Sequence, residues 1–266
     1  MRSYEWILVG YLLYLAVMAW VMPLSAARRR LVTAVTVADI AVVWWMSSAR
    51  SPLVSLARDW VPSLQILLCY WLSGAFFLRP MPRVEAWLAS WDRKLFDGLG
   101  AGHVASRGPR MLLEYFELAY LTVYFLIPLA FAIPFFLAPG FDVTRYWTVV
   151  VVAELACYSV LPWIQTRPPR ALRLHAAIED RRVAIHRLNG WVLGLGSIQV
   201  NTFPSGHAAG SFATALAVGE VVPSAFLPLL ALAASITIGS VLGRYHYVAD
   251  SVTGVMVAVA AWAIVR

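Results

Sequence analysis

The chain is short of lysine, cysteine and charge. Lys94 is the only lysine in 266 residues, and charged side chains make up 13% of the total. That is about half the share of an ordinary soluble domain, which excludes that class. The two cysteines, Cys69 and Cys157, both fall inside apolar runs. They read as small hydrophobes and suggest neither a disulfide nor a metal site. The acidic residues form no obvious metal cluster, so no metal or other cofactor is expected. Short alternating segments are missing, which excludes an outer-membrane barrel. No Gly/Ser-rich linker and no repeat period interrupts the chain.

What is present is apolar: 61% of the residues, with a mean hydropathy of +0.72. Long apolar runs separated by clustered charge describe an all-α, polytopic membrane helix bundle. We read about eight transmembrane helices: Trp6–Leu24, Leu31–Ser48, Trp60–Leu78, Met111–Leu137, Tyr146–Gln165, Pro204–Val222, Ala225–Leu242 and Tyr247–Val265. Pro128 and Pro134 are expected to kink the fourth. Pro23 to Ala27 resembles a cleavage region, but Arg28, Arg29 and Arg30 follow the apolar run rather than precede it, which favours a retained span. Between the third and fourth runs, Val84, Trp87, Leu88, Trp91, Leu95 and Leu99 recur at helical spacing. Arg83, Glu85, Asp92, Arg93 and Asp97 mostly take the other side, as in an amphipathic helix lying in the membrane interface or packed on the spans. The polar loop Ala171 to Gly196 is rich in ionisable side chains and is a second candidate for such a helix. The net charge of +7 is carried by arginines in loops, which points to anionic headgroups or phosphates as partners rather than nucleic acid.

Eight spans would bring three polar segments to one face. The first is Arg167-Pro168. The second is Pro204-Ser205-Gly206-His207, where Ser205 is a natural N-cap, Gly206 lets a ligand approach the backbone, and unpaired N–H groups face an anion. The third runs from Arg244 to Asp250. There His246 and Asp250 are four apart and share a helix face; a carboxylate on one ring nitrogen leaves the other free as nucleophile or base. Arg167 and Arg244 supply planar forks suited to phosphate oxygens. Taken singly, each segment is as readily a helix cap, a chance pair or a headgroup anchor. Together, in this order, they reinforce one another. Glu114 and Glu117 open the fourth span on the same face, either binding headgroup hydroxyls or, the favoured reading, capping and anchoring at the interface. Asp39 and Glu154 lie mid-span, where an acid is costly unless paired or hydrated.

These segments resemble the signature of the type 2 phosphatidic acid phosphatase and haloperoxidase-like superfamily: Lys-x6-Arg-Pro, Pro-Ser-Gly-His, and Ser-Arg-x5-His-x3-Asp. The resemblance covers the chain from about the third span onward. It divides the protein into two added N-terminal transmembrane helices, residues 1–59, and a six-helix catalytic core, residues 60–266. Two positions depart from the signature, Val160 in place of its lysine and Ser240 in place of its arginine. Arg244 stands two residues before His246 instead, a form similar to the inositol-phosphorylceramide and sphingomyelin synthase branch.

The resemblance implies an integral-membrane lipid phosphatase acting on a phospholipid or isoprenoid phosphate. In it His246 attacks phosphorus, oriented by Asp250, to give a phosphohistidine. His207 protonates the leaving oxygen and later deprotonates the incoming water. Arg167, Arg244, Ser205 and Gly206 stabilise the phosphoryl oxygens. The branch similarity keeps a lipid phosphotransferase as the alternative, with a non-catalytic transporter or lipid-binding protein on the same fold as the reading from another class. The arginine-rich, lysine-poor composition is compatible with a GC-rich bacterial genome, and the expected location is a bacterial cytoplasmic membrane. Sixteen of the 21 lysines and arginines fall on the motif side, which the positive-inside rule places in the cytoplasm, whereas the family usually faces the other way.

Overall fold

The computed structural model describes residues 1–172 and 184–265. The most highly charged part of the Ala171–Gly196 loop, residues 173–183, lies outside the described residues. The described chain is an all-α bundle of 13 α-helices, 80% helical and without strands.

In order the helices are α1 (Ser3–Val21), α2 (Ala26–Ser48), α3 (Pro52–Trp60), α4 (Pro62–Gly74), α5 (Pro82–Asp92), α6 (Ala101–Arg107), α7 (Arg110–Leu121), α8 (Val123–Leu137), α9 (Val143–Val160), α10 (Ala184–Gly196), α11 (Gly206–Val221), α12 (Pro223–Leu242) and α13 (Val248–Ile264). Among them α1, α2 and α12 are long and apolar enough to cross a membrane, and α7 with α8 would make a fourth crossing bent by 65°. The other runs read as spans form shorter or more polar helices. The third holds only the 13-residue α4, with α3 preceding it, and α9 carries Arg145 and Glu154.

The fourth run breaks at Thr122, between α7 and α8, whereas Pro128 and Pro134 both lie inside α8. Thr122 Oγ1 donates to the Ala119 carbonyl at 2.6 Å and diverts the backbone ladder there. Pro128 and Pro134 are the sixth and twelfth residues of α8, and the helix runs through both although each removes one backbone hydrogen bond.

The core is centred on α9, whose Trp147, Val149, Val150, Val151 and Ala153 are all fully buried. α1 belongs to the same core through Leu8, Leu12 and Leu15, and Tyr14 donates to the Ser159 carbonyl at 2.8 Å. In a bilayer the driving force for such contacts is packing rather than escape from water, so close approach matters most. Gly254 on α13 shows this: a Cβ there would collide with the Ser205 carbonyl at the start of α11.

The two ends of the bundle differ. At one end Arg58 pairs with Glu5 (2.5 Å), Arg2 with Asp59 (2.5 Å) and Arg145 with Glu220 (2.7 Å). At the other, α9 ends, α11 begins, α12 ends and α13 begins, so the three polar segments meet there as the sequence implies.

α5 turns a mixed set of residues inward. Its buried residues include Glu85, Leu88 and Asp92, while Trp87 and Trp91 are exposed. In a membrane protein the apolar side of a helix can face lipid, which frees the polar side to turn inward.

Candidate active site

The three segments are tied together through their backbones. The Asn201 N–H donates to the Thr166 carbonyl at 2.9 Å, joining the first to the second. The Ser205 N–H donates to the Asp250 carbonyl at 2.9 Å, joining the second to the third. The Arg170 N–H donates to the Arg244 carbonyl at 3.1 Å, and the Tyr247 hydroxyl to the Arg167 carbonyl at 3.1 Å, closing the ring. These residues, up to about eighty apart in sequence, form one buried floor.

On that floor His246 Nε2 lies 3.3 Å from His207 Nδ1. His246 precedes α13 rather than lying on it. Tyr247 is the N-cap of α13, and Asp250, three residues on, accepts the Tyr247 N–H at 2.9 Å through Oδ2. The same Oδ2 stands 3.5 Å from His246 Nδ1. The pair thus meets across a capping turn, not along a helix face, with Nδ1 turned to the carboxylate and Nε2 to His207. The Tyr245 and His246 N–H groups both donate to the Ser240 carbonyl, at 2.9 and 3.1 Å, so the residue standing in for the signature's arginine shapes this turn. Burial, with the nearby Arg170 cation, pushes the His246 imidazole down to about 3 and keeps it neutral.

Ser205 is the N-cap of α11, and its Oγ accepts the Ala208 N–H at 3.4 Å. Gly206 is needed for packing: a Cβ there would lie 2.7 Å from the Tyr158 ring and 2.9 Å from Glu154 Oε2 on α9. His207 stacks on Tyr120 (centroids 5.4 Å), which stacks on Tyr245 (4.2 Å).

The two motif arginines are engaged elsewhere. Arg167 makes a bidentate pair with Glu85, Nε to Oε1 at 3.0 Å and Nη2 to Oε2 at 2.8 Å. This fork holds the Glu85 carboxyl below its ordinary value. Arg244 is fully buried, pairs with Asp92 at 2.5 Å and lies over the Phe96 ring at 4.3 Å. Asp92 also accepts the Val248 N–H at 3.1 Å, fixing the start of α13. Neither arginine lines the small polar pocket above the histidines. Arg170 does, with Tyr70, Tyr120, Thr202, Tyr245, His207 and His246. Its guanidinium is 5.1 Å from the Tyr245 ring centroid and 3.3 Å from Gln199 Oε1. Sequence reasoning passed over Arg170, although Arg167-Pro168-Pro169-Arg170 carries two arginines and either could serve.

Glu114 and Glu117 both reach α10. Glu114 accepts the N–H groups of Ala184 and Ile185 at 2.9 and 3.0 Å. Glu117 is buried and accepts from Asn189 (2.6 Å) and the Tyr245 hydroxyl (2.7 Å), with His186 Nδ1 at 2.7 Å. The pair therefore fastens α10 to α7, and Glu117 also holds the ring that backs the histidines.

His207 borders a second, larger cavity of about 300 Å³ between α4, α8, α9 and α11. Its walls are largely apolar, including Ile66, Leu67, Val123 and Ile127. Leu64 and Phe125, which also line it, are 66% and 61% exposed on the outer surface, so it opens sideways. A small polar pocket and a lateral apolar cavity thus share His207 and Tyr70.

A family model described as PAP2 superfamily matches residues 86–264, from within α5 to the end of α13. No curated protein and no solved structure matches the chain.

Proposed function

The chain belongs to the PAP2 superfamily, and from that premise we propose that it is a multi-pass membrane enzyme hydrolysing a phosphomonoester or diphosphate on a lipid. The observation that carries this reading is the 3.3 Å approach of His246 and His207 between a polar pocket and a lateral apolar cavity. The phosphate enters the pocket beside Arg170 and parts the two rings, while the hydrocarbon occupies the cavity. His246 Nε2, neutral and backed by Asp250 at Nδ1, attacks phosphorus; the P–O bond to the lipid breaks, and His207 gives its proton to the leaving oxygen. His207 then takes a proton from water as that water attacks the phosphohistidine, and inorganic phosphate leaves. Arg170 and the N–H groups at the start of α11 face the phosphoryl oxygens as charge builds. Arg167 and Arg244 position the floor through Glu85 and Asp92.

The transfer reading differs only in the acceptor, a lipid alcohol in place of water, and the apolar cavity reaching His207 would admit one. Purified protein with labelled phosphatidic acid, isoprenyl diphosphate, or phosphatidylinositol plus an acceptor lipid separates the two. Free phosphate marks the hydrolase, and a labelled new lipid marks the transferase. Full activity in His246→Ala would refute the histidine mechanism. We place the enzyme in a bacterial cytoplasmic membrane with its site on the cytoplasmic face.

A further inference from the structure

Glu154 sits near the middle of α9, against the opening turns of α11. Two glycines make room for it. A Cβ on Gly206 would lie 2.9 Å from Glu154 Oε2, and one on Gly210 would overlap Oε1. The residue is only 4% exposed, and Oε2 has no hydrogen-bond partner among the described residues. Its side chain lines the 300 Å³ cavity together with His207 and Ser211, and the Tyr158 hydroxyl bonds to the carboxyl while leaving Oε2 over. A carboxyl removed from water costs several kcal/mol unless something bonds to it. An ionisable group at this depth in a membrane protein marks a functional site by default.

We propose that Glu154 is a specificity-determining residue that accepts a hydrogen bond from a hydroxyl near the phosphate end of the lipid. This rests on the lipid-phosphate reading above. The position fixes which part of the lipid it meets. Gly206 immediately precedes His207, so the carboxyl lies at the reacting end of the cavity, away from the mouth at Leu64 and Phe125. A bare alkyl or isoprenoid chain passing this point leaves Oε2 unpartnered in apolar surroundings. A hydroxyl within a few bonds of the phosphate satisfies it. A hydrogen bond between uncharged partners corresponds to about 2- to 10-fold in affinity, and a site built around a hydroxyl discriminates against the analogue lacking it.

The test uses two non-hydrolysable alkyl phosphonates of equal chain length, one with a hydroxyl close to the phosphonate and one without. Their binding to the full-length protein in lipid nanodiscs is measured by calorimetric titration. Wild type should bind the hydroxylated compound about 3- to 10-fold more tightly. Glu154→Leu should bring the ratio to near one with little change for the plain phosphonate, and Glu154→Gln, the same size and able to accept one bond, should fall between. A variant that merely loosened the helices would weaken both compounds together. Equal binding of the two by wild type, or a wild-type ratio in both variants, would overturn the assignment alone. Binding of neither compound by wild type would count against the lipid-phosphate reading itself and the assignment with it.

Discussion

His246 carries the sharpest pH consequence. Its imidazole is held at about 3, against an ordinary 6.5, by burial first and by the Arg170 cation second. The unfolded chain therefore takes up this proton first. The group costs no stability above about pH 6.5 and a growing amount as pH falls from 6.5 towards 3. Thermal unfolding should show this as a loss between pH 7 and pH 4.5 that is smaller in His246→Asn. For catalysis the nucleophile stays neutral through mildly acidic pH, so kcat/KM should show no acid limb near 6.5 from this residue. Arg170→Gln removes the cation, and any acid limb should move to higher pH. The same variant should lose about 100- to 1000-fold in kcat, the usual effect of deleting one donor to developing charge. Arg170 was hidden because nothing local distinguishes it from Arg167. Glu85, eighty-two residues upstream of Arg167 and on a helix whose inward side was not apparent, decides which arginine is free.

Among the elements, α5 does more than cover the site. Glu85 and Asp92 are seven apart on its inner side, and each holds one of the two motif arginines. Periodicity showed that the helix has two sides, but water and lipid reward opposite ones, so its direction was not legible. The Asp92–Arg244 pair is dry, each side chain being 1% exposed. Removing one partner leaves a buried, uncompensated charge, at a cost of about 3–5 kcal/mol. Asp92→Asn should lower the unfolding midpoint of detergent-solubilised protein far more than Glu85→Gln does, because the Arg167 side chain of that second pair is 43% exposed and largely screened. A difference of under ~1 kcal/mol between them would show that the dry pair is not what holds the third segment. Glu117 acts at the same scale, through α10. Glu117→Gln keeps its shape but weakens its bonds to His186, Asn189 and Tyr245. KM should therefore rise several-fold with the midpoint nearly unchanged, since the ring backing the pocket loosens without opening the core.

Across the whole molecule, the meeting of three distant segments at one end of the bundle was legible because each lies at a helix terminus. Ser205 is the N-cap that its residue type and position suggest. The side of the membrane this end faces rests on charge. At the opposite end, Arg2, Arg58 and Arg145 are all neutralised by acids within 2.7 Å. At the motif end, Arg28, Arg29 and Arg30 donate instead to the Phe77, Ala19 and Ala26 carbonyls and keep their charge uncompensated by those partners. Arg110, Arg167 and Arg244 at the motif end are paired with acids too, so the asymmetry that the positive-inside rule reads is the count of arginines and lysines itself. The two native cysteines are buried, so an introduced thiol can be followed on a quiet background. Gly190 is exposed, with nothing within 4 Å of a Cβ built there, and marks the motif end; exposed Ser51 marks the other. An impermeant maleimide on intact cells should label Ser51→Cys and spare Gly190→Cys until the membrane is opened. The reverse pattern would put the site outside the cytoplasm, with the arginines there serving phosphate chemistry rather than orientation.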